Sequence, residues 1–289
     1  MRSKKITYGI IGYPLRHTLS PAMHNTAFRE LKANATYKAF SLKADQLDDF
    51  FVNLKEKSSP IFGLNVTIPY KEEVLRYMDT LTPFAQRVGA VNTIVISPER
   101  TLTGHNTDGP GFLAHLVELK INTKGKRVAI LGAGGSARAI LATLCLIPER
   151  PESIKIYNRT SSRLDDLLED LKTRFDVSII QPVTQVEDLN VEIADILINT
   201  TSVGLGKDDP CIVDEEALHS NLFVYDLIYN PAQTALLKAA RRRGAKTANG
   251  AGMLFYQGVL ALQHWADMVL DDEIKQKMRK SLQKELESA

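Results

Sequence analysis

The stretch "RVAILGAGGSARAI", residues 127–140, constrains this chain more than any other. Strand-forming residues Arg127–Leu131 run directly into Gly132, Ala133, Gly134, Gly135, Ser136 and Ala137, which fit G-x-G-x-x-A, and an apolar helix pattern opens at once. Glycines at that spacing permit a tight turn and let the backbone approach a pyrophosphate, whose charge then rests on the helix N-terminus. Alone the pattern is a weak signal. Between a strand and a helix it predicts a dinucleotide-binding βαβ unit, against the alternative of a glycine-rich turn that holds nothing.

The rest of the chain reads the same way. Apolar strands alternate with amphipathic helices throughout, which predicts α/β architecture with largely parallel sheets. A length of 289 residues accommodates two domains with separate cores. The first pass reads strands in "ITYGIIG", "TYKAFSL" and "IFGLNVTI", helices in "PAMHNTAFREL", "QLDDFFVNLKE" and "KEEVLRYM", then a hairpin turning at Ser97–Arg100. The second pass reads strands in "RVAIL", "SIKIYNR", "VSIIQPV", "DILINTT" and "LFVYDLIY". A boundary near residue 108 divides them. The expected domains are 1–108, completed by C-terminal helices over 251–289, and 109–250.

Composition narrows the partners. The charged fraction is 24%, and 36 basic residues against 34 acidic ones leave a net charge of +2. That offers no electrostatic reason for nucleic acid or an anionic membrane. Arg241–Arg243 read as the last turn of a helix, where cations suit the dipole. The basic start "MRSKK" leads into a segment broken by Gly9, Gly12 and Pro14, so neither a signal peptide nor a membrane span is expected. Cys145 and Cys211 match no metal or redox spacing, and His17 and His24 are not spaced as a helical ligand pair. No metal and a reducing, cytoplasmic setting are therefore expected.

The end of the strand after the glycine loop discriminates between cofactors. An NAD site places Asp or Glu there to accept from the ribose 2′-hydroxyl. This chain has "NRTSSR", with Asn158, Arg159, Thr160 and Arg163. Two guanidiniums and short polar groups suit a 2′-phosphate, which favours NADP. Capping of the following helix is expected as well, but it leaves two arginines unaccounted for.

A second set of polar residues lies in the first domain. Ser20 before Pro21 reads as an N-cap, and the same helix start, flanked by the Thr18 and Ser20 hydroxyls, reads equally as a carboxylate seat. Asp108 in "GHNTDGPGF" could cap a helix beginning near Pro110. In "GLNVTIPYK", Asn65 and Thr67 share one face of a strand while Leu64, Val66 and Ile68 share the other, toward the core. Lys71 then falls at an expected helix start, where the dipole disfavours a cation and eases loss of its proton; a nearby aspartate would act the other way.

Taken together, "GYPLRHTLSPAMHN", "GLNVTIPYK", "GAVNT", "GHNTDGPGF", "GAGGSARA", "NRTSSR", "DLIYNP" and "GMLFYQG" resemble the shikimate dehydrogenase family, quinate-using members included, over almost the whole chain. The resemblance implies two α/β domains with a cleft between them: an N-terminal substrate domain and a C-terminal Rossmann NADP-binding domain. It implies Lys71 and Asp108 as the catalytic pair, and Thr18 and Ser20 as the seat of the substrate carboxylate. It places Asn65, Thr67, Asn92, Tyr229 and Gln257 on the substrate. Gly132–Ser136 (with Ala133, Gly134 and Gly135) and Asn158, Arg159, Thr160 and Arg163 would hold NADP, with Leu227, Gly250 and Met253 at the nicotinamide end.

The implied activity is reversible reduction of 3-dehydroshikimate to shikimate, by a monomer or homodimer. The chain departs from the family pattern in Thr18, where serine is usual, and in "NTTSVGL". A quinate/shikimate enzyme that also takes NAD is the nearer alternative, and a non-catalytic NADP-binding regulator the more distant one. The latter predicts loss of the lysine or the aspartate, and both are present.

Overall fold

The computed structural model describes residues 5–15 and 18–288. The readings of His17 and of the basic start Met1–Lys4 fall outside the described residues. The chain forms two compact units, Met1–Gly111 with Phe255–Ala289, and Phe112–Leu254.

The first stretch holds β1 (Ile6–Gly12), α1 (Ser20–Glu30), β2 (Ala35–Ser41), α2 (Leu47–Lys55), β3 (Ile61–Val66) and β4 (Thr80–Leu81). After these come α3 (Pro83–Val88), β5 (Thr93–Ile96), β6 (Leu102–His105) and α4 (Asp108–Glu118). The strands lie in the order β2-β1-β3-β5-β6-β4. β1 is parallel to both neighbours, whereas β5 runs antiparallel to β3 and β6. The expected hairpin is therefore present, and Arg100 closes its turn with φ of +72°.

Alternation along β3 sends Leu64 and Val66 into a core shared with Ile11, Ile94, Leu102, Leu47 and Phe51. Burying each such side chain contributes about 1.5–3 kcal/mol, which fixes the register of the strand. Register then pairs Asn65 with Thr93, and Thr93 with His105. One end of this sheet thus gathers the segments after β1, β3 and β6 and the one before β5.

The second stretch holds β7 (Arg127–Leu131), α5 (Gly135–Leu146), β8 (Ser153–Tyr157), α6 (Ser161–Lys172), β9 (Ile180–Val183) and β10 (Ile196–Asn199). β11 (Phe223–Asp226), α7 (Ala235–Arg242), β12 (Lys246–Asn249), α8 (Ala251–Ala266) and α9 (Asp272–Ser288) complete the chain. All pairs in the sheet β12-β11-β10-β7-β8-β9 are parallel. That is the doubly wound order, with its switch point between β7 and β10. Alternate residues enter opposite cores: Ile130, Ile154, Ile156 and Ile198 on one face, Ala129, Leu131, Leu197 and Val224 on the other. Within the first unit Trp265, from the end of α8, donates to the Ile94 carbonyl at 3.0 Å and occupies the space beside Gly63.

Four local expectations are corrected. "KEEVLRYM" is no α-helix: residues 68–72 form turns and Glu73–Tyr77 a 3-10 segment. Ile68 is 62% exposed rather than in the core, because β3 ends at Val66. Strand β9 starts only at Ile180, and the short elements α3 and β12 lie outside the expected ones. The arginine run is a helix end as expected, with Arg242 paired to Glu215 at 2.7 Å.

Candidate active site

Lys71 and Asp108 lie far apart in sequence, yet Lys71 Nζ stands 2.6 Å from Asp108 Oδ2. Both are nearly buried, at 9% and 6% exposure. The turn after β3 sets the lysine. Tyr70 anchors that turn in the core and donates to the Leu42 carbonyl at 2.6 Å, while the Lys71 carbonyl accepts from Val91 N at 2.7 Å. Because no α-helix starts here, the dipole argument for Lys71 falls away, and Asp108 is its ion-pair partner.

Asp108 is not the cap of its helix. That part belongs to Asn106, whose Oδ1 accepts from Asp108 N at 3.1 Å and Gly109 N at 3.3 Å, and whose Nδ2 holds the Ala90 carbonyl. An aspartate relieved of capping keeps both oxygens for other donors: Oδ2 takes Lys71, and Oδ1 takes Asn92 Nδ2 at 2.8 Å. Asn106 was legible in principle, since an asparagine just ahead of a helical aspartate fits the N-cap pattern.

Ser20 likewise does not cap. It is the first residue of α1, whose start carries no side-chain cap, with proline in the first turn. It is buried at the start of the helix. Thr18 is half-buried just ahead of it. Thr67 packs against Gly12 at the end of β1 and donates its N–H to the Ile11 carbonyl at 2.9 Å. Gln257 is buried on α8, and Gly111 lets the first turn of α4 lie against it: a Cβ there would stand 2.8 Å from Gln257 N. Thr18, Ser20, Asn65, Thr67, Lys71, Asn92, Asp108 and Gln257 thus all belong to the first unit.

Tyr229 belongs to the second unit, half-buried after β11, where burial pushes its phenol up and keeps it protonated. Gly132 follows β7 with φ of +104°, and a Cβ on it would meet Thr200 Oγ1 at 2.5 Å, so only glycine fits. Gly134 precedes α5 with no side-chain cap and nothing within 4 Å of its missing Cβ, which leaves an open cradle at the helix start. Asn158 Nδ2 binds the Thr160 carbonyl at 2.7 Å, making the turn; Thr160 itself offers no side-chain cap to α6. Arg159 and Arg163 are exposed, and neither has an ion-pair partner among the described residues. Leu227 packs in the same core as Met253, and Gly250 N donates to the Ile228 carbonyl at 3.2 Å.

A support unread in the sequence lies between the loops after β10 and β11. Buried Asp226 accepts from Asn199 Nδ2, Ile228 N and Thr234 Oγ1 at 3.0, 3.1 and 2.6 Å. Burial raises its carboxyl despite those donors. No cluster of three or more metal-ligating side chains occurs among the described residues, and none of the helices is long and apolar enough to cross a membrane.

Histidine 24 sets a pH limit on the fold. Its ring is buried, stacks on Tyr37 at 4.4 Å, and neither nitrogen has a hydrogen-bond partner. Burial lowers its pKa from 6.5 to about 3. The unfolded chain therefore takes up a proton below 6.5 that the folded chain refuses. Stability is intact above that pH and declines toward about 3, by up to about 1.4 kcal/mol per pH unit for one proton. His105, lowered to about 4 by burial and by His264, contributes with the same sign. His24→Phe should accordingly reduce the pH slope of the urea-unfolding free energy between pH 4 and 6 by about one proton; an unchanged slope would contradict the assignment.

A family profile described as the shikimate dehydrogenase substrate binding domain matches residues 10–94. The chain is 42% identical over 275 residues to the NADP(+) shikimate dehydrogenase of Caldanaerobacter subterraneus subsp. tengcongensis, covering 94% of this chain and 96% of that one. The shikimate 5-dehydrogenase of Thermus thermophilus, solved with NADP(H) and shikimate, superposes with TM-score 0.82 at 34% identity, covering 97% and 100% of the two chains. The ligand-free 5-ketofructose reductase of Gluconobacter sp. strain CHM43 gives 0.81 at 32% identity, covering 98% and 99%.

Proposed function

The chain belongs to the shikimate dehydrogenase family, and from that membership we propose that it interconverts 3-dehydroshikimate and shikimate with NADPH and NADP+. The observation that carries the chemistry is the buried Lys71–Asp108 pair at 2.6 Å, set at one sheet end with Thr67 and Asn92. The first unit binds the substrate and the second the dinucleotide.

NADPH, when bound, supplies the hydride. The Gly132–Ser136 loop and the open start of α5 hold the pyrophosphate, and Arg159 and Arg163 take the 2′-phosphate. Thr18 and Ser20 seat the substrate carboxylate, while Thr67, Asn92, Gln257 and Tyr229 address its ring substituents. As charge develops on the C3 oxygen, Lys71 donates a proton to it; in shikimate oxidation the same amine accepts one. Asp108 orients that amine and bonds the neighbouring hydroxyl. The free thiols Cys145 and Cys211, the former pushed up to about 11 by burial, support a cytoplasmic setting.

Likeness to a 5-ketofructose reductase favours one other reading, a different polyol ketone as substrate. That sugar has no carboxylate and would leave the Thr18–Ser20 seat without a purpose. Steady-state rates decide between them, with shikimate and quinate oxidised by NADP+ or NAD+ and with 3-dehydroshikimate and 5-ketofructose reduced by NADPH or NADH. The expected kcat/KM is highest for shikimate with NADP+ among the alcohols and for 3-dehydroshikimate with NADPH among the ketones; a higher value for quinate or for 5-ketofructose would overturn the proposal.

A further inference from the structure

We propose that Tyr37 is a positioning residue for the Lys71–Asp108 pair, acting through a one-way line of buried hydrogen bonds through Asn65, Thr93 and Asn92 to the Asp108 carboxylate. The inference rests on the reading of that pair as the proton-moving site.

The orientation of the two amides follows from backbone atoms whose role is not in question. Asn92 Oδ1 accepts from the Thr107 backbone N–H at 2.7 Å, so its Nδ2 is the end that meets Asp108 Oδ1. Asn65 Nδ2 faces the Asn92 backbone carbonyl at 3.2 Å, which can only accept. Asn65 Oδ1 therefore faces Tyr37, and the phenol donates to it at 2.7 Å. The second proton of Asn65 Nδ2 goes to Thr93 Oγ1 at 3.1 Å. Thr93 donates onward to Asn92 Oδ1 at 3.2 Å, and its hydroxyl also shares a bond of 3.1 Å with Thr107 Oγ1 in which either oxygen can donate. Along the route Tyr37 OH, Asn65 Nδ2, Thr93 Oγ1 and Asn92 Nδ2, each donor faces the next group toward Asp108.

Three consequences distinguish this line from ordinary core packing. Both N–H bonds of Asn65 are committed to protein acceptors, so its main work is to brace Asn92 and Thr93 rather than to donate to substrate. Tyr37 has a single proton and gives it to Asn65, so the phenol enters the line as a donor. Aligned donors also strengthen one another, and burial makes each break costly. The His24 ring, stacked at 11° on Tyr37, fixes the phenol's direction.

Tyr37→Phe deletes one oxygen and keeps the stacked ring. We expect kcat for shikimate oxidation to fall about tenfold, the effect of losing roughly one neutral hydrogen bond, with KM for NADP+ unchanged. Thr93→Val, which cuts the line at another bond, should lose a similar factor. Adding Tyr37→Phe to Asn65→Ala should cost nothing more, because the phenol acts only through that amide. In selectively 15N-labelled protein the Asn92 side-chain amide resonance should move in Tyr37→Phe and in Thr93→Val. Wild-type kcat in both variants, additive losses, or a stationary Asn92 resonance would each overturn the inference. Failure of the wild-type protein to oxidise shikimate would instead sink the functional reading, and the Asn92 resonance would still decide this one.

Discussion

Replacing Lys71 with alanine is expected to lower kcat for shikimate oxidation by about 10²-fold or more, the usual size of a general acid–base contribution. The substrate is held by other side chains, so KM for shikimate should change far less than kcat. A second effect has to be separated from the first. Lys71 and Asp108 form a nearly buried pair, and removing one partner from such a pair destabilises by about 3–5 kcal/mol. A lower melting temperature is thus part of the expected result, and rates belong well below it. Near-normal turnover in the folded variant would remove Lys71 from the proton step and leave Asp108 as the remaining candidate.

The second large effect concerns the cofactor. Arg159→Ala combined with Arg163→Ala should raise KM for NADP+ by about 10²-fold or more, since each charge-assisted bond to a phosphate contributes about 1.5–3 kcal/mol and about 1.4 kcal/mol is tenfold. KM for NAD+ should stay where it was, because that cofactor has no 2′-phosphate to lose. Neither guanidinium has an ion-pair partner among the described residues, so the double variant disturbs no salt bridge of the fold. Unchanged discrimination between the cofactors would mean the 2′-phosphate is held elsewhere.

The two architectures were legible because periodicity and burial act over many residues at once. Strand β7 with its glycine turn, and the apolar runs that became β8, β10 and β11, read correctly for that reason. What failed was local. Ser20 and Asp108 carry side chains suited to capping, yet α1 starts without a side-chain cap, and Asn106, whose place ahead of the aspartate was the one available sign, takes the part expected of Asp108. The "KEEVLRYM" stretch has helical composition, yet it is drawn into turns and a 3-10 segment by the anchoring of Tyr70 and by the Lys71 carbonyl's bond to Val91. Tertiary contacts overrode propensity there. The polar line through Tyr37, Asn65, Thr93 and Asn92 was out of reach for the same reason: its members come from three strands and the segment just before one of them, and only register brings them together.

The central claim is that Lys71 moves a proton while hydride passes between shikimate and the nicotinamide. The most direct measurement is the initial rate of appearance of the NADPH absorbance band with shikimate and NADP+, for the wild-type protein beside Lys71→Ala at equal folded concentration. The expected result is ready reduction of NADP+ by the wild type and a rate lower by about 10²-fold or more in the variant. Equal rates in the two proteins, or no reduction of NADP+ by the wild type, would contradict it.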